Sequence, residues 1–231
     1  CILDAAGQKG TGKWSVINAM NLGMPLGLIG SAVFERSLSS DKQTRVAAAK
    51  LFPRTVRKSD LPRKTLLDHT FASLYASKLV SYAQGFSVLQ KASDEFNWNL
   101  DMGSIARMWR GGCIIRSVFL NDIASAYEAD EKPRQLLLAP YFAKEIGQLL
   151  NGWKSLVANA AIECVPVPAF SSALNYFYSL TSENLPANMI QAQRDFFGAH
   201  TFERKDQERG KFFHEDWTGH GGATQSGTYN V

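Results

Sequence analysis

The sequence predicts an all-α protein: a large multi-helix domain built round one long central helix, followed by an extended C-terminal tail. Three observations lead there. Apolar residues recur at helical spacing through most of the chain, while strand-like alternation is nearly absent. The longest such run extends from Arg63 to about Phe96, and from His200 onward the pattern turns charged, glycine-rich and aperiodic. With 231 residues, 45% of them hydrophobic, the chain is long enough to bury a sizeable core.

The chain opens on Asp4-Ala5-Ala6-Gly7-Gln8-Lys9-Gly10-Thr11-Gly12-Lys13-Trp14-Ser15, a glycine loop at the mouth of a first helix. Glycines at 7, 10 and 12 let main-chain N–H groups approach an anion, and Lys9, Lys13 and the Thr11 hydroxyl add donors. Gly7, Gly12 and Lys13 fall where a nucleotide-binding G-x-x-x-x-G-K loop requires them. Trp14, however, stands where the magnesium-holding hydroxyl belongs, and only Ile2-Leu3 precede the loop in place of a buried strand. A triphosphate hydrolase is therefore rejected. Pattern alone leaves two readings open: a phosphate site without metal, or a glycine-rich turn with solvated lysines, the commoner outcome for an isolated cluster of this kind.

A helix through Trp14 and Met20 stops at Gly23 and Pro25, and a short second one runs from Leu28 to Phe34. Ser39-Ser40-Asp41 supply capping oxygens for a third, through Val46 and Lys50, which Pro53 ends. The run from Arg63 carries Leu67, Phe71, Leu74, Phe86 and Leu89 on one side, while Ala72, Ala76, Ser77 and Ala83 permit close approach by a neighbour. At about 1.5 Å per residue, some 30 residues span about 45 Å, the length of a domain's spine. Gly85 is a candidate kink. Asp101 caps a helix through Ile105 and Trp109, which Gly111-Gly112 interrupt. Helices over 114–127, 133–150, 153–164, 168–180 and 186–197 follow, several opening near a proline, where a missing N–H costs nothing. Trp14, Trp109 and Trp153 are expected in the core. Phe212, Phe213, Trp217 and Tyr229 are costly to leave in water, so the tail is expected to dock on another subunit without a fold of its own.

A net charge of +4 with acids and bases interspersed suits an anionic substrate as well as nucleic acid. The basic cluster Arg54-Thr55-Val56-Arg57-Lys58, bracketed by Pro53 and Pro62, reads as a solvated loop. No aromatic interleaving makes it a base-stacking platform, so nucleic acid is not expected as a partner. Cys1, Cys113 and Cys164 are odd in number, widely spaced and free of any C-x-x-C pattern. They indicate neither a disulfide framework nor zinc, and point to a reducing, cytoplasmic compartment. No apolar run reaches the length of a membrane span, so no membrane partner is expected. The opening lacks a Met and runs an apolar pair straight into the glycine loop, which reads as a chain cut from a longer one.

Four stretches, in order, carry a resemblance. They are the loop from Asp4 to Trp14; Trp109-Arg110-Gly111-Gly112-Cys113-Ile114-Ile115-Arg116; Leu185-Pro186-Ala187-Asn188 with Gln191-Ala192-Gln193-Arg194-Asp195-Phe196-Phe197-Gly198-Ala199-His200-Thr201; and Asp216-Trp217-Thr218-Gly219-His220-Gly221-Gly222. Together they closely resemble 6-phosphogluconate dehydrogenase, from one end of the chain to the other, in its C-terminal substrate and dimerisation portion. The resemblance implies NADP-dependent oxidation of 6-phosphogluconate at the third carbon, then decarboxylation to ribulose 5-phosphate in the pentose phosphate pathway, with no metal. It also implies a homodimer, in which an all-helical domain, here residues 1–199, sends its tail, residues 200–231, through the partner.

By the same resemblance, Lys9 and Thr11 of the K-G-T-G loop and Arg36 of Val33-Phe34-Glu35-Arg36 hold the substrate phosphate. Arg194 and His200 reach into the other subunit's site; His214 and His220 are not carried over. Ser226-Gly227-Thr228-Tyr229 is a looser match to tail serines that touch the partner's cofactor. The family's nucleotide domain and its catalytic lysine and glutamate belong upstream of residue 1. No catalytic residue is therefore assigned here, and the chain alone is expected to be inactive. Physics favours the clamp, because charge-assisted bonds from arginine forks and ammonium groups to a phosphate dianion are roughly twice as strong as neutral ones. Without the family, Arg36 reads as an exposed helix-end arginine, Arg194 as an ion-pair partner of Asp195 or another neighbour, and His200 as a polar residue at the tail's start. An alternative from another class is a helical interaction module that keeps the fold without the site.

Overall fold

The computed structural model describes residues 1–55, 59–129, 133–217 and 219, and these are mostly helical, as the periodicity predicts. In order the helices are α1 (Thr11–Asn21), α2 (Gly27–Ser40), α3 (Lys42–Leu51), α4 (Arg63–Glu95), α5 (Met102–Gly112), α6 (Leu120–Glu128), α7 (Pro140–Ile162), α8 (Pro168–Leu180) and α9 (Ala187–Gly198), with a 3-10 turn at Leu136–Leu138. Two short strands, β1 (Phe202–Glu203) and β2 (Phe212–Phe213), pair antiparallel. Two compact units divide the chain, Cys1–Tyr178 and Ser179–Val231. The boundary expected between residues 199 and 200 falls inside the second unit. Among the described residues no helix is long and apolar enough to cross a membrane.

In the first unit α4 is the spine. It runs 33 residues without interruption, about 50 Å at about 1.5 Å per residue, and Gly85 does not break it. Its buried face is built from small residues, Ala72, Ser73, Ala76, Ser77 and Ala83, with Leu79, Val80 and Phe86. That face lets α7 come close: a Cβ added to Gly152 would stand 3.0 Å from the Cβ of Ala72. The expected apolar side of α4 therefore splits. Phe86 is fully buried, but Leu67, Phe71 and Leu74 are 58%, 64% and 57% exposed, because α7 packs on the alanine and serine face and leaves them outside.

Along the other half of α4, Phe86 meets Trp109 of α5 and Tyr127 of α6 at ring-centroid distances of 5.3 and 5.6 Å, and Tyr82 meets Phe119 edge-on at 4.9 Å. Such pairs add specific geometry to the apolar burial. Trp153 of α7 is fully buried, and its indole N–H donates to the Phe170 carbonyl at 3.3 Å. Trp14, by contrast, is largely exposed, which corrects its expected place in the core; it stands in the first turn of α1, where the Lys13 ammonium lies over its ring.

Several element bounds are decided by one side chain. Asp101 caps α5 by accepting from the Gly103 and Ser104 amides, and Asp41 caps α3 by accepting from Thr44, both as the sequence predicts. Residues 114–119, expected to be helical, form turns instead. The Tyr82 hydroxyl donates to the Ile115 carbonyl and Phe119 is buried, which holds this segment against α4 and delays α6 to Leu120. The helices expected over 133–150 and 153–164 are one: α7 opens with Pro140 in its first turn and continues through Gly152, where the missing side chain is the contact with α4.

Candidate functional site

The glycine loop is fastened to α2 and α3. Gly10 takes a left-handed conformation, φ 99°, that turns the chain into α1 at Thr11. The Arg36 guanidinium, near the end of α2, donates to the Gly7 carbonyl. The Ser39 hydroxyl accepts from the Ala6 amide at 2.9 Å. Asp4 accepts from Lys42 of α3 and, at 3.0 Å, from Arg45, which also donates to the Asp4 and Ser39 carbonyls at 2.8 and 3.2 Å. Lys42 foremost, then Arg45, hold the Asp4 carboxyl well below the usual carboxylate range. The one acid of the loop is thus answered by two bases of α3. Gly12 lets α1 meet α2, since a Cβ there would stand 2.9 Å from Val33 Cγ2. Sequence reasoning missed the tie from Asp4 to α3; its signal is a pair of bases three residues apart on one helix face.

Of the residues expected to hold phosphate, Lys9 and Thr11 lie exposed in this loop and at the start of α1, and Arg36 is drawn to the same loop by its bond to Gly7. A guanidinium carries several N–H donors, so one bond to a carbonyl leaves others for an anion. The first turn of α1 contains no acid, and its amides are unpaired within the helix. Lys13 is turned aside, its ammonium 5.1 Å from the centre of the Trp14 ring.

Arg194 and His200 lie in the second unit, on α9 and just beyond it. Arg194 donates to Gln191 Oε1 at 3.0 Å. Asp195, the neighbour that pattern alone offers Arg194 as an ion-pair partner, is engaged elsewhere. It is fully buried and accepts from the Thr201 amide at 2.9 Å, His214 Nδ1 at 3.0 Å, the Glu215 amide at 3.1 Å and Trp217 Nε1 at 2.9 Å. Burial pushes its carboxyl up, but the bonds from Trp217, His214 and the Glu215 and Thr201 amides outweigh burial and hold it below its ordinary value. The tail therefore has a local fold as far as Trp217, which corrects the expectation of a docking tail without one: a buried carboxylate needs these donors, and the chain folds back on α9 to supply them. His214 and Asp195 are structural residues to which sequence reasoning assigns no such role: His214 is not carried over from the resemblance, and Asp195 reads only as a surface partner of Arg194. Ser226, Gly227, Thr228, Tyr229 and His220 lie outside the described residues.

A carboxyl whose folded pKa is depressed contributes stability that is fully present above its unfolded pKa and is lost as pH falls through the folded one. The fold-back is therefore expected to hold down to about pH 5 and to loosen below about pH 4. Hydrogen exchange at the Thr201 and Glu215 amides checks this: protection lost already near neutral pH would contradict it.

Among the described residues no three His, Cys, Asp or Glu side chains come together to hold a metal, and no strand leads into the glycine loop. The exposed donors of the loop suit an anionic group such as a phosphate. Comparison with known proteins gives the family. A family model described as 6-phosphogluconate dehydrogenase, C-terminal domain, matches residues 1–217. The chain is 52% identical over 235 residues to the decarboxylating 6-phosphogluconate dehydrogenase of Ceratitis capitata, and 48% identical over 231 residues to that of Mus musculus. Both alignments take in 100% of this chain and 48% of the relative, so the chain spans about half the length of the curated relatives it matches. A 6-phosphogluconate dehydrogenase from Plasmodium falciparum, solved in its apo form, with its cofactor NADP+ and with its substrate 6-phosphogluconate, has a TM-score of 0.88 to this structure at 41% identity, covering 94% of this chain and 46% of that one. Sequence and fold agree over nearly the whole length, and the chain belongs to the family of the 6-phosphogluconate dehydrogenase C-terminal domain.

Proposed function

We propose that this chain works as the substrate-clamping and dimer-forming part of an NADP-dependent, decarboxylating 6-phosphogluconate dehydrogenase in the cytoplasm. The observation that supports this is the bond from Arg36 to Gly7, which brings Arg36 to the loop whose sequence carries Lys9 and leads into Thr11 at the start of α1. Family membership supports the choice of phosphate: the phosphoryl end of 6-phosphogluconate. Lys9, Thr11 and Arg36 grip it from one subunit. Arg194 and His200 come from the other, whose tail, residues 200–231, crosses over and touches NADP through Ser226, Gly227, Thr228 and Tyr229.

NADP, when bound, accepts the hydride. The part of this chain is to hold the far end of the sugar acid, so that its third carbon lies at a fixed reach from the reacting groups. No catalytic acid or base is assigned among its residues, and the chain by itself is inactive. The test is twofold. The full-length protein should reduce NADP and release carbon dioxide from 6-phosphogluconate. Chains carrying Arg36→Ala, mixed and reassociated with chains carrying Arg194→Ala, should then regain about one intact site in four, because in a mixed dimer one site receives both native arginines. Recovery no greater than the average of the parents would mean that each tail serves its own chain. No turnover and no binding of 6-phosphogluconate would leave only the helical interaction module.

A further inference from the structure

Resting on the reading of Arg194 and His200 as phosphate ligands, we propose that Asp195 is a positioning residue that presets both for the phosphate and locks their turn to the tail. Ala199 and Thr201, on either side of His200, both adopt left-handed backbone, φ 48° and 59°. Residues with a Cβ take that conformation only where their surroundings over-determine it. Here both backbone groups of Thr201 are held by side chains one turn apart on α9: its amide donates to Asp195 Oδ1, and its carbonyl accepts from Gln191 Nε2. Gln191 Oε1 in turn accepts from Arg194. The His200 ring lies against Gly198, where a Cβ would come within 2.9 Å of Nε2. One short network thus sets the guanidinium and the turn that bears the imidazole.

Asp195 spends its remaining acceptors on His214, Glu215 and Trp217, the segment that follows β2. A carboxylate without exposure is tolerated when donors surround it, and these donors come from two separate stretches of chain, Thr201 and residues 214–217. Its removal therefore releases the His200 turn and the tail together. A phosphate dianion gains most from donors already in place, because nothing has to be ordered when it binds.

The test uses the full-length enzyme with 6-phosphogluconate. Asp195→Asn keeps the size but sets an amide NH2 against groups that also donate. It is expected to raise KM about tenfold with kcat within about twofold, and to raise KM less than about twofold in a background that carries both Arg194→Ala and His200→Ala, since a residue acting through those two has nothing further to lose. Trp217→Phe removes a single donor and serves where the asparagine variant does not fold; about a threefold rise in KM is expected, again absent when both Arg194 and His200 are alanine. An equal rise in both backgrounds, or no rise for either variant, overturns the proposal. His200→Ala and Arg194→Ala alone test the phosphate-ligand reading. Unchanged KM in those two removes that reading and the proposal together, whereas raised KM there with none from Asp195→Asn or Trp217→Phe removes the positioning role only.

Discussion

Replacing Arg36 by alanine in the full-length enzyme is expected to raise the KM for 6-phosphogluconate about 100-fold while kcat stays within about threefold. Hydrogen bonds to a charged partner contribute about 1.5 to 3 kcal/mol, and each 1.4 kcal/mol is about tenfold in affinity. Arg36 is held on the Gly7 carbonyl, so its loss removes the proposed phosphate ligand and a fastening of the loop that carries Lys9. The two effects separate with gluconate, which has no phosphate. If the lost contact is to phosphate, preference for 6-phosphogluconate over gluconate falls by about the same 100-fold. If only the loop loosened, both substrates suffer alike. Arg36→Lys keeps the charge but not the fork and should recover about tenfold. A KM within about twofold of the parent in Arg36→Ala would remove Arg36 from the clamp.

Trp153→Ala is expected to lower the unfolding free energy by about 5 kcal/mol, a loss large enough to unfold many domains. Trp153 is fully buried on α7, packs beside Phe177 at 6.1 Å between ring centres and donates to the Phe170 carbonyl. Removing a buried indole costs about 3 to 5 kcal/mol through lost burial and the cavity left behind, and the orphaned carbonyl adds about 1 kcal/mol or more. Trp153→Phe keeps a ring and loses the donor, for about 2 kcal/mol. Urea unfolding at constant m-value measures both. A loss below about 1 kcal/mol for the alanine variant would show that α7 and α8 close over the gap.

The long helix was legible because helical periodicity is a local property: Arg63 to Glu95 reads as one run without knowledge of any neighbour. Which face of that run is buried was not legible. Leu67, Phe71 and Leu74 look like core, yet α7 selects the alanine and serine face, and that choice is made by Gly152 far along the chain. The turns at 114–119 were hidden in the same way, since the hydroxyl that holds them belongs to Tyr82 on another helix. At the site, Lys9 and Thr11 stood out from the glycine spacing, whereas Arg36 came only with the family resemblance, and its bond to Gly7 exists only in space. Asp195 misled outright. Beside Arg194 it reads as half of a surface pair, while its donors come from Thr201, His214, Glu215 and Trp217 after the chain has turned back.

The bond from Arg36 to a main-chain carbonyl has a consequence for how acidity acts on the grip. A carboxylate in that place would titrate, compete with an incoming anion and change the side chain's pose as it took up a proton. A peptide oxygen does none of these. The guanidinium waits in the same attitude across the whole range in which the protein stays folded, and at this loop, in the clamp proposed above, ionisation enters through the guest's own phosphate, whose second proton leaves near pH 6.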